Sequence, residues 1–203
     1  MDIGTLRKTF EQFRLESIWL RRCYNTHCTL FEGGREVDKL LMSTAGNFFF
    51  DISRVLQEYI IQRICGLTDP PTSGSSKNLS TKFINQGLIE HNLLTKRISE
   101  VSHRIDDYRN LILRARNKAL SHFDIEVSLS GETLGEHSPE EVEQFYVDLQ
   151  IYNDEVANAL DLAPLDFCAS PAEGDALDLI ALLQEYRSRS MGSDSDQSSR
   201  NNQ

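Results

Sequence analysis

Arg116, Asn117 and His122 stand together in the run Arg116-Asn117-Lys118-Ala119-Leu120-Ser121-His122, followed by Phe123 and Asp124. These residue types match what is needed to cleave RNA without a metal. The ribose 2′-OH attacks its own phosphate once its proton is taken, and the leaving 5′-oxygen needs a proton in return. An imidazole titrates near neutrality and suits both transfers. A guanidinium is always charged and fork-shaped, so it can clamp the phosphate oxygens on which negative charge develops. Asn117 can bind phosphate or hold Arg116 in place.

Six residues of helix rise about 9 Å and leave Arg116 and His122 about 120° apart around the axis. One chain does not hold both neatly over one phosphate. Pairing of this helix with its own copy across a two-fold axis would bring two of each residue into one cleft. The same stripe can also pack against helices of the same chain. His122 can also be a helix-end histidine favoured by the helix dipole, and Arg116 can pair with an acid. Other chemistries find less support. Cys23, His27 and Cys28 lie close together, but no further ligand at zinc-site spacing is apparent, and they read as core cysteines with a polar neighbour; no metal or cofactor is expected. Gly74-Ser75-Ser76-Lys77 lacks P-loop spacing and reads as a turn. No serine sits in a nucleophile elbow.

The helix that must carry Arg116 is expected from about Leu93 to His122. Leu94, Ile98, Val101, Ile105, Tyr108, Ile112, Ala115, Ala119 and His122 follow steps of 4 and 3, a heptad-like stripe. Before it, a helix is expected over about 5–31, with Leu6, Phe10, Phe13, Trp19 and Tyr24 at roughly helical intervals, broken at Gly33-Gly34. A second runs from about Arg35 to Cys65, with Val37, Leu41, Thr44, Phe48, Ile52, Val55 and Tyr59 as one apolar stripe and Gly66 as its stop. Residues 67–78 read as a loop, and a third helix from about Leu79 to Asn92 takes Asn78 as its cap. Residues 124–137 read as a Gly-containing loop with room for a short strand. Ser138-Pro139-Glu140-Glu141 is a capping-box start for a helix to about residue 161, with Val142, Phe145, Leu149, Tyr152, Val156 and Leu160 inward. Ser170-Pro171-Ala172-Glu173 repeats that signal for a last helix through about Tyr186. Residues 188–203 have almost nothing to bury and read as a disordered tail. The fold class is all-α, a bundle of five or six long antiparallel helices.

The chain has 203 residues, enough for a core without disulfides. With 11 Gly and 5 Pro, it lacks the turn punctuation of a β-sandwich or barrel. No long apolar run suggests a membrane span. No signal-peptide core precedes the first helix, so a cytoplasmic protein with reduced thiols at Cys23, Cys28, Cys65 and Cys168 is expected. The net charge of −10 is unevenly spread: residues 1–92 carry +1, 93–123 carry +4 and 124–203 carry −15. The local field around 93–123 is therefore the part that can attract an anion.

At Arg116 the sequence resembles a family. Arg116-Asn117-Lys118-Ala119-Leu120-Ser121-His122-Phe123-Asp124 looks like the Arg-x(4–6)-His signature of the HEPN superfamily (higher eukaryotes and prokaryotes nucleotide-binding), with Asn117 as its polar residue after the Arg. It is closest to the U-type abortive-infection branch of bacterial proteins. There, a first helix bearing Trp and Tyr (Trp19, Tyr24) precedes Leu-Thr-Asp-Pro (Leu67 to Pro70), then Asn-Leu-Ser (Asn78, Leu79, Ser80). Ser121 stands where that branch usually has Ala. The match covers about residues 15–160. The resemblance implies a HEPN-like helical domain, expected over 1–165; the residues themselves add a helix at 166–187 and the tail at 188–203. It further implies a metal-independent endoribonuclease of a phage-defence or toxin system. Its catalytic residues would be Arg116, His122 and Asn117, with Lys118 and Asp124 as supporting candidates. RNA as substrate, a homodimer and an antitoxin or defence-system partner go with that reading. Other HEPN domains bind nucleotides or serve as protein-interaction modules without cleaving anything, and that remains the alternative.

Overall fold

The structure, a computed structural model, describes residues 1–115, 138–165 and 173–200. Among the described residues the chain is all-α, with six helices and one hairpin of two two-residue strands. They are α1 (Ile3–Phe31), α2 (Arg35–Leu67), β1 (Thr72–Ser73), β2 (Ser76–Lys77), α3 (Thr81–Glu90), α4 (Lys96–Ala115), α5 (Pro139–Ala159) and α6 (Ala176–Arg200). The chain divides into two compact units. One comprises Met1–Arg22 with Glu58–Cys168, the other Cys23–Gln57 with Ala169–Gln203.

In the first unit, α1 starts on an Asp2 cap, whose carboxylate accepts the Thr5 amide at 2.9 Å. The inward stripe of α1 is Leu6, Phe10, Phe13, Ser17 and Leu20, all buried at steps of 4 and 3. Trp19, expected on that stripe, is instead 47% exposed and has the Arg22 guanidinium over its ring. α3 approaches α1 closely: a Cβ at Gly87 would lie 2.6 Å from Leu6 Cδ1, so any larger residue there requires the Leu6 and Met1 side chains to shift. Ser80, not Asn78, caps α3 by accepting the Phe83 amide. Asn78 instead closes the preceding loop, its side chain donating to the Pro70 carbonyl at 2.7 Å. Within that loop, β1 and β2 pair antiparallel around Gly74, a short hairpin where only a loop was expected.

α4 and α5 pack along one another. Ile98, Val101, Ile105, Tyr108 and Ile112 of α4 are buried, as are Val142, Phe145, Leu149, Tyr152 and Val156 of α5. The start of α5 follows its sequence signal closely. Ser138 accepts the Glu141 amide, Glu141 accepts the Ser138 amide, and Pro139 takes the first turn. α4 begins three residues later than expected, where Thr95 accepts the Ile98 amide.

In the second unit, the end of α1, the start of α2 and α6 enclose a small core of Leu30, Leu40, Leu41, Phe49 and Ile180. Gly34, at φ +91°, allows the turn between α1 and α2. α2 is bent at Ala45 (φ −158°, ψ 63°). Just before the bend, Ser43 and Thr44 both donate their hydroxyls to the Leu40 carbonyl, a competition that bends helices. The bend changes the helical phase. After it the inward positions are Phe49, Leu56, Ile60 and Ile64, one residue later than the expected Phe48, Val55 and Tyr59. α2 also runs through Gly66 to Leu67. It ends where the Thr68 hydroxyl bonds the Ile64 and Cys65 carbonyls. α6 starts at Ala176, where Asp175 accepts the Leu177 amide, and its helical backbone continues past Tyr186 to Arg200; the expected start at Ser170 and Pro171 lies outside the described residues.

Candidate nucleic-acid site and its supports

Arg116, Asn117, Lys118, His122 and Asp124 lie outside the described residues. What the structure builds is the helix that delivers the chain to Arg116. α4 ends at Ala115, one residue before it.

Four sets of contacts fix α4, one of them the ion pair of Asp106 with Lys82 of α3 at 3.1 Å. Arg104 grips Asp148 of α5 with both sides of its guanidinium: Nε lies 3.0 and 3.1 Å from the two carboxylate oxygens and Nη2 lies 2.6 Å from Oδ1. The Asp148 side chain is 3% exposed and that of Arg104 41%, so a buried carboxylate is satisfied by a cation reaching in from solvent. One turn further along, Arg109 pairs with Asp69 at 3.0 Å. The last set is a polar chain through three helices. The fully buried Tyr152 hydroxyl donates to Asn85 Oδ1 at 2.9 Å, and Asn85 donates to Ser102 Oγ of α4 at 2.8 Å. Burial pushes the Tyr152 phenol far above its ordinary range, so it acts as a fixed donor.

These contacts give physical roles to the segments on which the family resemblance was read. Within Leu67 to Pro70, Leu67 and Thr68 are buried at the end of α2 and Asp69 holds Arg109. Asn78 ties the loop back to Pro70, and Ser80 caps α3. The basic character of α4 also changes meaning. Arg104 and Arg109 face acids from outside the basic stretch, so part of its +4 charge is neutralised in place. The stripe that could have paired two copies is, from Ile98 to Ile112, buried within the chain beside α5. Ala119 and His122, the end of that stripe, lie outside the described residues.

Sequence reasoning missed Arg104, Asp148 and Arg109. One signal was present: Asp148 sits on the inward stripe of α5 between Phe145 and Tyr152, and a carboxylate there must find a cation.

A family model described as AbiU2, of the HEPN type, matches residues 3–179. No curated protein and no solved structure matches the chain.

Proposed function

Since this chain belongs to the AbiU2 family of HEPN proteins, we propose that it is a metal-independent endoribonuclease of an abortive-infection or toxin system. His122 exchanges protons with the ribose 2′-OH and the leaving oxygen. Arg116 steadies the scissile phosphate, Asn117 orients Arg116, and Lys118 and Asp124 support the site. The site is used as a homodimer, and an antitoxin or defence-system partner restrains it. What supports this reading is that the Arg116–His122 run follows in sequence directly after Ala115, the last described residue of α4, a helix anchored by three ion pairs and a buried polar chain. Such anchoring is what precise positioning of a phosphate clamp requires. Among the described residues no helix is long and apolar enough to cross a membrane.

The test is digestion of RNA by the purified chain in the presence of a chelator. Loss of a general acid–base group typically costs about 100- to 10,000-fold. His122→Ala and Arg116→Ala should therefore be nearly inert while retaining the parent's helical signal. An alanine variant at His122 that cuts as fast as the parent overturns the assignment.

The neutralisation of Arg104 and Arg109 favours a second reading, a non-catalytic module that binds a nucleotide or a protein. A nonspecific RNA binder needs more exposed cations. Stabilisation by a nucleotide without any cleavage of RNA supports that reading.

A further inference from the structure

The geometry points to a zinc site formed by His27, Cys28 and Glu32 at the C-terminal end of α1. One ligand atom from each residue lies within 4.8 Å of the other two. His27 Nδ1 and Glu32 Oε1 are 3.4 Å apart. A charge-assisted hydrogen bond would close to about 2.7–2.9 Å. Tetrahedral zinc with bonds of about 2.0–2.3 Å instead sets its ligand atoms about 3.3–3.8 Å apart. The His27–Glu32 spacing matches one edge of such a tetrahedron, and Cys28 Sγ, within 4.8 Å of both atoms, closes on the same point by a small side-chain rotation.

The surroundings suit a cation in three further ways. His27 Nε2 lies 3.1 Å from the Gln57 side-chain amide. When Nδ1 binds metal, Nε2 carries the proton, and Gln57 turned about its last bond presents Oε1 as acceptor. That is the outer partner a metal-bound histidine ordinarily has. The last carbonyls of α1 present the negative end of the helix dipole. His27 is buried, Cys28 half-buried and Glu32 exposed. The ligands are thus graded from interior to solvent, and a water can take the fourth position. Binding converts the Cys28 thiol to thiolate with release of one proton. Thiolate and carboxylate together balance the two charges of the ion. The ion would fasten Glu32, in the turn between α1 and α2, to the helix end. This site has no part in the RNA chemistry proposed above and stands or falls separately from it.

The test uses the full chain, stripped with chelator, desalted under reducing conditions and titrated with Co(II) alone and then Zn(II). The expected result is one equivalent of Co(II) bound, with tetrahedral visible bands and a near-ultraviolet thiolate charge-transfer band. Zn(II) should displace these bands and raise the melting temperature. Cys28→Ser should abolish the charge-transfer band. Glu32→Gln should weaken binding by about tenfold or more. Both side chains reach solvent, and circular dichroism checks that each variant keeps the parent's helix content. A parent chain that gives no Co(II) spectrum, or a Cys28→Ser variant that keeps the thiolate band, overturns the proposal.

Discussion

Arg104 and Asp148 are unequal partners, and substitution should expose the difference. Asp148 is enclosed whereas Arg104 is part-solvated. Removing the cation strands a buried carboxylate; removing the acid frees a guanidinium into water. Arg104→Met should therefore destabilise the fold by about 2 kcal/mol, below the ~3–5 kcal/mol of a fully buried broken pair, and Asp148→Leu should cost less. Urea unfolding of the two variants checks the order. His27 gives a pH prediction. Burial lowers its folded-state pKa below the ordinary 6.5, outweighing the pull of Glu32. Below that value the unfolded chain binds the proton more readily than the folded chain. Stability from this residue is therefore complete above about pH 6.5 and falls as the pH drops toward the folded-state pKa. In chelator, His27→Gln should flatten that part of the stability–pH curve. Cys23, His27 and Cys28 were visible in the sequence as neighbours at the end of α1, though they read there as core residues and not as a metal site. Glu32 was not, because it lies one residue past the last residue of α1, where helical spacing no longer says which side chains meet.

Helix stripes were legible on α4 and α5, whereas on α1 the expected stripe holds through Phe13 and then misses at Trp19. On α4 and α5 the expected inward positions from Ile98 to Ile112 and from Val142 to Leu160 are the buried ones. On α2 the pattern reads correctly up to Leu41 and then slips by one residue. Two hydroxyls competing for the Leu40 carbonyl are a local event that periodicity cannot register. The same contrast predicts mutational outcomes. Ile105 is fully buried, so Ile105→Ala should cost about 2–5 kcal/mol. Phe48 sits on the stripe that sequence alone would bury, yet it is 58% exposed, so Phe48→Ser should change stability by no more than about 0.5 kcal/mol. Thermal melts of the two variants separate the bent helix from a straight one.

The division into two units predicts a selective response to shortening the chain. Ile180 and Leu183 of α6 pack with Leu30, Leu40, Leu41 and Phe49. A chain ending before Ala176 should lose amide-exchange protection over 23–57. α4 and α5, which bury their stripes in the other unit, should keep theirs. Uniform loss of protection along the chain would show that the two units do not open separately. The all-α class was legible from composition and periodicity. The two-unit partition was not, because α1 and α2 each contribute residues to both units and no break in composition marks where the allegiance changes.

Past its bend, α2 presents Phe48, Phe50 (68% exposed) and Val55 (59% exposed) to water, with Met42 (67% exposed) just before it. The intact chain should therefore be retained on phenyl resin and brighten a solvatochromic dye while fully native. A melt followed by such a dye would start from a high baseline and understate the transition, and ellipticity at 222 nm is the dependable reporter for this protein.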